Sequence, residues 1–184
     1  MNFENFRVYL RAIESDDYKT TIKWHNDNEI WNMVGGTKYF VSMEYEKKWI
    51  EDAIWNKDQI KLGICVKENN ELIGFCSLIK MDLANGSAEI SIMIGDNQYW
   101  GKGLGSEAIL LLSDFAFSER GFNRIWALIL ENNIASRRMF EKCGYKTEGV
   151  LRKSIYKNSK FHNQVIMSIL QEDFYQMLKE KGTD

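Results

Sequence analysis

Between Ala88 and Leu112 the chain reads AEISIMIGDNQYWGKGLGSEAILLL, and this stretch constrains the fold more than any other. Its first part alternates: Ala88, Ile90, Ile92 and Ile94 fall on one side, Glu89, Ser91 and Met93 on the other, the pattern of a half-buried strand. Gly101, Gly103 and Gly105 follow, then a helical pattern from about Ser106 to Ser118 whose apolar face is Ala108, Leu111, Leu112 and Phe115. Glycine loses the most backbone freedom on folding, so three at alternate positions imply a tight turn or the close approach of a ligand. A helix N-terminus presents unpaired N–H groups and partial positive charge, and glycines leave both open to an anion. With Lys102 as an added cation, the strand–glycine–helix unit is expected to receive a phosphorylated ligand. Neither the Walker pattern nor the dinucleotide fingerprint G-x-G-x-x-G fits this G-x-G-x-G loop, which also sits late in the chain.

Elsewhere Arg7 to Ile13 reads as a strand, and Ser15 and Asp16 offer caps for a short helix carrying Tyr18, Thr21, Ile22, Trp24 and His25. After the loop GGTKYF, Ser42 caps a second helix with Tyr45, Trp49, Ile50, Ala53 and Ile54 as its apolar stripe. IKLGICV and ELIGFCSLI form a hairpin; a two-residue turn at Asn69-Asn70 would set Cys65 opposite Gly74 and Cys76 opposite Gly63. FNRIWALIL is a further strand. Asn133 caps the helix after it and Gly144 ends that helix. Two last strands flank KNSK, and the tail QEDFYQMLKEK is helical. The order βααβββαβαββ predicts a single α/β domain over residues 1–184, with helices covering both faces of a mixed sheet.

Composition narrows the function. Twenty-four Lys and Arg against 26 Asp and Glu give a net charge of −2, not the basic footprint of a nucleic-acid binder. Cys65, Cys76 and Cys143 form no CxxC pair or metal-ligand spacing, so no metal site is expected and the thiols read as inert in a reducing cytosol. No basic segment precedes an apolar one at the N-terminus, and apolar runs such as AILLL are too short to cross a bilayer. A cytoplasmic protein without membrane or nucleic-acid partners is expected.

The segment AEISIMIGDNQYWGKGLGSEAI resembles the acetyl-CoA-binding core of the GNAT superfamily of N-acetyltransferases, whose loop reads roughly [QR]-x-x-G-x-[GA]. Here that pattern falls on Trp100, Gly103 and Gly105, with Trp100 in place of Gln or Arg, as is common in the RimJ/RimL-type branch. ENNIASRRMFEKCGYKTEGVLRKSIY and the opening YLRAIESDDYKTTIKWHNDNEI are similar to that branch as well. The resemblance implies a mixed, mostly antiparallel central sheet flanked by helices. It also implies acetyl-CoA as co-substrate, its pyrophosphate on the main chain of Trp100, Gly101, Lys102, Gly103, Leu104 and Gly105. The pantetheine would run along Ile92, Met93 and Ile94, and Asn133 would reach the arm or only cap its helix.

Transfer of an acetyl group to an amine needs a neutral amine, hence a route for its proton, and an N–H donor for the oxyanion, placed near Met93 or Ile94. Glu89 matches the strand glutamate that serves as base in several relatives; a structural or substrate-orienting role stands beside that reading. His25 is a further candidate, read mainly as solvated or capping. Phe140 stands where many relatives carry a tyrosine acid, leaving Tyr145, Tyr156 or Ser136 as substitutes. The acceptor is a small-molecule or peptide amine: a protein N-terminus, a polyamine or an amino sugar. Trp24, Trp31, Tyr39, Phe40, Trp49 and Trp55 read mostly as core, and Asp27, Glu29, Glu44 and Glu46 as a solvated face. Assembly into a homo-oligomer is left open. The alternatives are a catalytically silent acyl-CoA sensor and, disfavoured by charge, an RNA-associated protein.

Overall fold

The computed structural model describes residues 3–36 and 40–181. Strand β1 (Val8–Ala12) leads through a 3-10 turn into α1 (Tyr18–His25), α2 (Asn28–Met33) and α3 (Met43–Trp55). Strands β2 (Ile60–Val66), β3 (Leu72–Asp82) and β4 (Ser87–Ile94) follow as a meander, then α4 (Leu104–Ser118), β5 (Arg124–Leu130) and α5 (Ile134–Lys142). The long hairpin β6 (Lys146–Lys157) and β7 (Lys160–Leu170) and the helix α6 (Gln171–Lys181) complete the chain. The seven strands lie in the order β1-β2-β3-β4-β5-β7-β6. Every join is antiparallel except β4–β5, which is parallel.

Two cores cover the two faces. Ala88, Ile90, Ile125, Ala127 and Val165 pack with Leu104, Ala108, Leu112 and Phe174 under α4 and α6. On the other face Ile13, Trp24, Ile30, Ile50 and Phe75 pack together, with Trp49, Met93 and Trp100 at their margin. The alternation of β4 thus sorts its residues as the sequence implies. Gly95, just beyond β4, lets Trp24 lie against the main chain: a Cβ there would sit 1.9 Å from the indole.

Several local expectations change. Glu14, not Ser15 or Asp16, begins the first turn, in a reciprocal capping box with Asp17. Asp27 caps an unforeseen helix, α2, by accepting from the N–H groups of Glu29 and Ile30. Ser42 caps α3 as expected, but Tyr45 and Ile54 are exposed and the buried positions are Glu46, Ile50 and Ala53. Helix α4 starts at Leu104, two residues early, because Gly103 adopts φ +83° and serves as its N-cap. Leu111 and Phe115 are only partly buried; Leu104, Ile109, Leu110 and Phe117 join the core instead. The β2–β3 loop is longer than a two-residue turn, so a bulge sets Cys65 opposite Leu72 and Cys76 opposite Leu62. The two thiols face different cores, and all three cysteines are free and buried. Of the early aromatics, Trp24 is core while Phe40 and Trp55 are exposed; Tyr39 lies outside the described residues.

Candidate active site

The parallel join decides where the site lies. Strands β4 and β5 pair only at Ser87–Arg124, Ala88–Ile125 and Glu89–Trp126. Past Glu89 they part. Ile90 to Ile94 on one side and Ala127 to Leu130 on the other line a cavity of about 910 Å³. Main-chain groups along this split are free to pair with an extended ligand, as a strand would.

At one end of the split stands the glycine loop. Gly101, Gly103, Leu104, Gly105 and Ser106 line the cavity. Among the described residues, the N–H groups of Gly101, Lys102 and Gly103 meet no acceptor, and the first turn of α4 adds its own dipole. Trp100 also lines the cavity and is pinned by Nε1 donating to the Ile94 carbonyl at 2.9 Å. Lys102 does not line it: its side chain is exposed, with Nζ 5.5 Å from the Tyr99 ring centre. The cations there come from α5, whose Arg138 and Lys142 face the same cleft. Asn133 caps its helix and also stands at the cavity wall. Its Oδ1 caps α5 by accepting from Ser136 N–H at 3.0 Å, its Nδ2 donates to the Met33 carbonyl at 2.7 Å, and it borders the cavity.

On the face of β4 away from α4, Glu89 lines the cavity and is only 8% exposed. Lys80 Nζ lies 2.8 Å from its Oε2, but the approach lacks hydrogen-bond geometry, and Oε2 has no hydrogen-bond partner. Lys80 arrives there because β3 is irregular: the register breaks between Ile79 and Asp82, and Lys80 has φ +48°. The irregularity turns a residue near the end of this interior strand toward Glu89.

Further along, β2 and β3 contribute Lys61, Phe75 and Ser77. Lys61 Nζ stands 3.9 Å above the centre of the Trp49 ring and 5.3 Å from that of Phe75. Burial pushes this ammonium down to about 8, with the charge of Glu46 opposing. Glu46, expected on a solvated face, is wholly buried. Its carboxylate accepts from the Thr21 hydroxyl and from His25 Nδ1, the latter at 2.7 Å to Oε2 and 2.9 Å to Oε1. His25 is therefore neither solvated nor a cap. The pairing was missed because Glu46 follows Glu44 and precedes two lysines, a local pattern that reads as a wet helix face.

Of the substitutes for a tyrosine acid, Tyr145 turns into the core, where its hydroxyl pairs with Ser113 Oγ at 2.8 Å and burial raises its pKa far above the usual phenol range. Tyr156 packs on Phe161 at the exposed hairpin. Ser136 borders the cavity, as does Phe140.

Residues 7–146 match the Acetyltransferase (GNAT) domain. The uncharacterized N-acetyltransferase p20 of Bacillus licheniformis is 29% identical over 91% of this chain and 95% of its own. The spermidine N(1)-acetyltransferase of Escherichia coli (strain K12) is 24% identical over 95% of this chain and 92% of its own. Among solved structures, spermidine N-acetyltransferase from Vibrio cholerae in complex with CoA and spermine superposes with a TM-score of 0.84 at 23% identity, over 92% of this chain and 98% of that one. A mostly antiparallel sheet split at its one parallel join, a glycine loop opening a helix at the split, and a domain match over most of the chain agree: the protein belongs to the GNAT acetyltransferases and moves an acetyl group from acetyl-CoA to an amine.

Proposed function

We propose that the split between β4 and β5 holds the pantetheine arm of acetyl-CoA against Ile92, Met93 and Ile94, with the pyrophosphate on the loop from Trp100 to Gly105. The carrying observation is the split itself, lined on both sides by strand and closed at one end by unbonded N–H groups. Arg138 and Lys142 supply the charge for the phosphates, a role the sequence suggested for Lys102.

The acceptor enters from the face bearing α1 and α3. On its way in, its ammonium meets Glu89, whose Oε2 lacks a hydrogen-bond donor, and displaces the exposed ammonium of Lys80. An unsatisfied buried carboxylate oxygen in a cavity wall is a receptor for an N–H donor. Relatives include a spermidine N(1)-acetyltransferase, which supports a small aliphatic amine. The cavity qualifies that support. Lys61, Lys80 and His25 line the acceptor half with Glu89 as its acid, so a primary amine of low total charge fits better than a long polycation. Trp100 at the loop supports the RimJ/RimL-type branch.

The test is free-thiol release from acetyl-CoA with a panel of spermidine, amino sugars, simple alkylamines and N-terminal peptides. Release with at least one amine is expected. A protein that binds CoA yet releases none with the whole panel would be the silent sensor instead.

A further inference from the structure

We propose that His25, held by Glu46, is the group that takes the proton from the acceptor amine. The inference rests on the acetyl-transfer reading of the cleft.

Glu46 is wholly buried on α3, and its oxygens receive the Thr21 hydroxyl and His25 Nδ1, both from α1. A carboxylate acceptor assigns the ring proton to Nδ1, so Nε2 of the neutral ring carries a lone pair. Among the described residues nothing bonds Nε2, and it is absent from the buried unsatisfied atoms, so it opens on the cavity that His25 lines. The ring cannot swing freely. It lies edge-on to Trp49 with centres 4.6 Å apart and 5.7 Å from Phe75, while the Trp31 indole N–H donates to the His25 carbonyl. A base oriented by a buried carboxylate and clamped by aromatic rings is the arrangement that proton transfer at carbon–heteroatom centres uses.

Position favours His25 over Glu89. Phe75 is the register partner of Met93, and the imidazole centre lies 5.7 Å from the Phe75 ring, which places it beside the strand position proposed for the thioester. Glu89 lies four residues from Met93 along β4, roughly 13 Å, and has the Lys80 ammonium beside it. The charged groups around His25 are Glu46 from α3 and Lys61 from β2, with Glu89 of β4 and Lys80 of β3 farther along the cavity wall.

The step balances as follows. The acceptor ammonium loses one proton to Nε2 and becomes a free amine. Its nitrogen attacks the thioester carbonyl and the C–N bond forms. Collapse of the tetrahedral adduct breaks the C–S bond, the thiolate of CoA takes the second nitrogen proton, and the imidazolium passes the first to solvent.

The experiment compares wild type with His25→Asn and Glu46→Gln. Asn keeps an N–H for Glu46 where Nδ1 stands but has no counterpart of Nε2. With an acceptor from the panel, kcat of His25→Asn should fall about 10²–10⁴-fold and the acidic limb of its pH profile should vanish. CoA affinity by calorimetry and the circular dichroism spectrum should not change; Glu46→Gln should fall between the two. Nitrogen-15 spectra of the wild-type ring should show the Nδ1–H tautomer, a readout independent of turnover. A folded, CoA-binding His25→Asn with wild-type kcat and acidic limb overturns the proposal, and so does an Nε2–H tautomer. A wild type that binds CoA and acetylates nothing overturns the transfer reading itself, and with it the role given to the ring, whatever the tautomer.

Discussion

Arg7 grips Glu107 through Nε at 2.8 Å and, through Nη2, the carbonyl of Lys102 at 2.8 Å. The N–H of Arg7 adds a bond to Glu107 at 2.7 Å. Strand β1 thus holds the glycine loop from behind. In a trans peptide the C=O and the next N–H point opposite ways, so drawing the Lys102 carbonyl toward Arg7 turns the Gly103 N–H away from it. The loop is thus tied to a residue 95 positions earlier.

Arg7→Met should therefore weaken CoA binding without touching the ligand. Hydrogen bonds to charged groups contribute about 1.5–3 kcal/mol, and the more-than-half-exposed Arg7 side chain argues for the lower end. A roughly tenfold rise in Kd by calorimetry is expected. An unchanged Kd would show that the loop keeps its shape unaided.

Gly103→Val should abolish CoA binding while the protein still folds. At φ +83° any L side chain is strained, by about 1–2 kcal/mol, and a Cβ would also lie 3.3 Å from Arg7 Nη2. The control is Gly121→Ala, which has φ +66° and no atom within 4 Å of the new Cβ. Both variants should melt several degrees lower. Only the loop variant should lose CoA affinity; equal affinities would remove the pyrophosphate from this loop.

Glu89→Gln should act on the acceptor's KM more than on kcat. The amide keeps the shape but offers an ammonium no charge, so KM should rise about tenfold while CoA affinity holds, as steady-state kinetics will read. A loss confined to kcat, with disappearance of the acidic limb, would instead make Glu89 the proton acceptor and displace His25.

Lys61→Met should raise the melting temperature at neutral pH, and by less as the solution becomes alkaline. The folded ammonium sits at about 8, below the ordinary lysine value of about 10.4, so the unfolded chain holds the proton more tightly. Charge on Lys61 therefore opposes folding below pH 8, and the penalty fades between about 8 and 10.4. Thermal melts of both proteins across that window give the sign; a constant difference would place Lys61 in water.

What the sequence disclosed was local. Ser42, Asn133, Gly144 and the glycines of the loop act within a turn of their own position, and the alternation of β4 needs only the sheet beside it. The candidate site divides the same way. Glu89 was marked by strand parity, and the strand residues Ile92 to Ile94 by the family resemblance. Glu46 was not, since its partners Thr21 and His25 lie 25 and 21 residues away and nothing nearby marks it as buried. Lys80 was hidden by an irregularity of β3, Arg7 by its distance from the loop, and Lys61 by an aromatic stack that forms only when α3 closes over the sheet.

The seam between β4 and β5 has a consequence for the life of the folded chain. Four strands lie on one side and three on the other, and three residue pairs are all the ladder that joins them. A ligand lodged in the gap works as a staple, and because it engages the closed sheet alone it raises the free energy of unfolding by RT ln(1 + [L]/Kd), about 2.7 kcal/mol at a hundredfold excess over Kd. With acetyl-CoA in the gap as proposed, resistance to proteolysis would follow the supply of the acyl donor, and the two halves of the sheet would part more readily when it runs short.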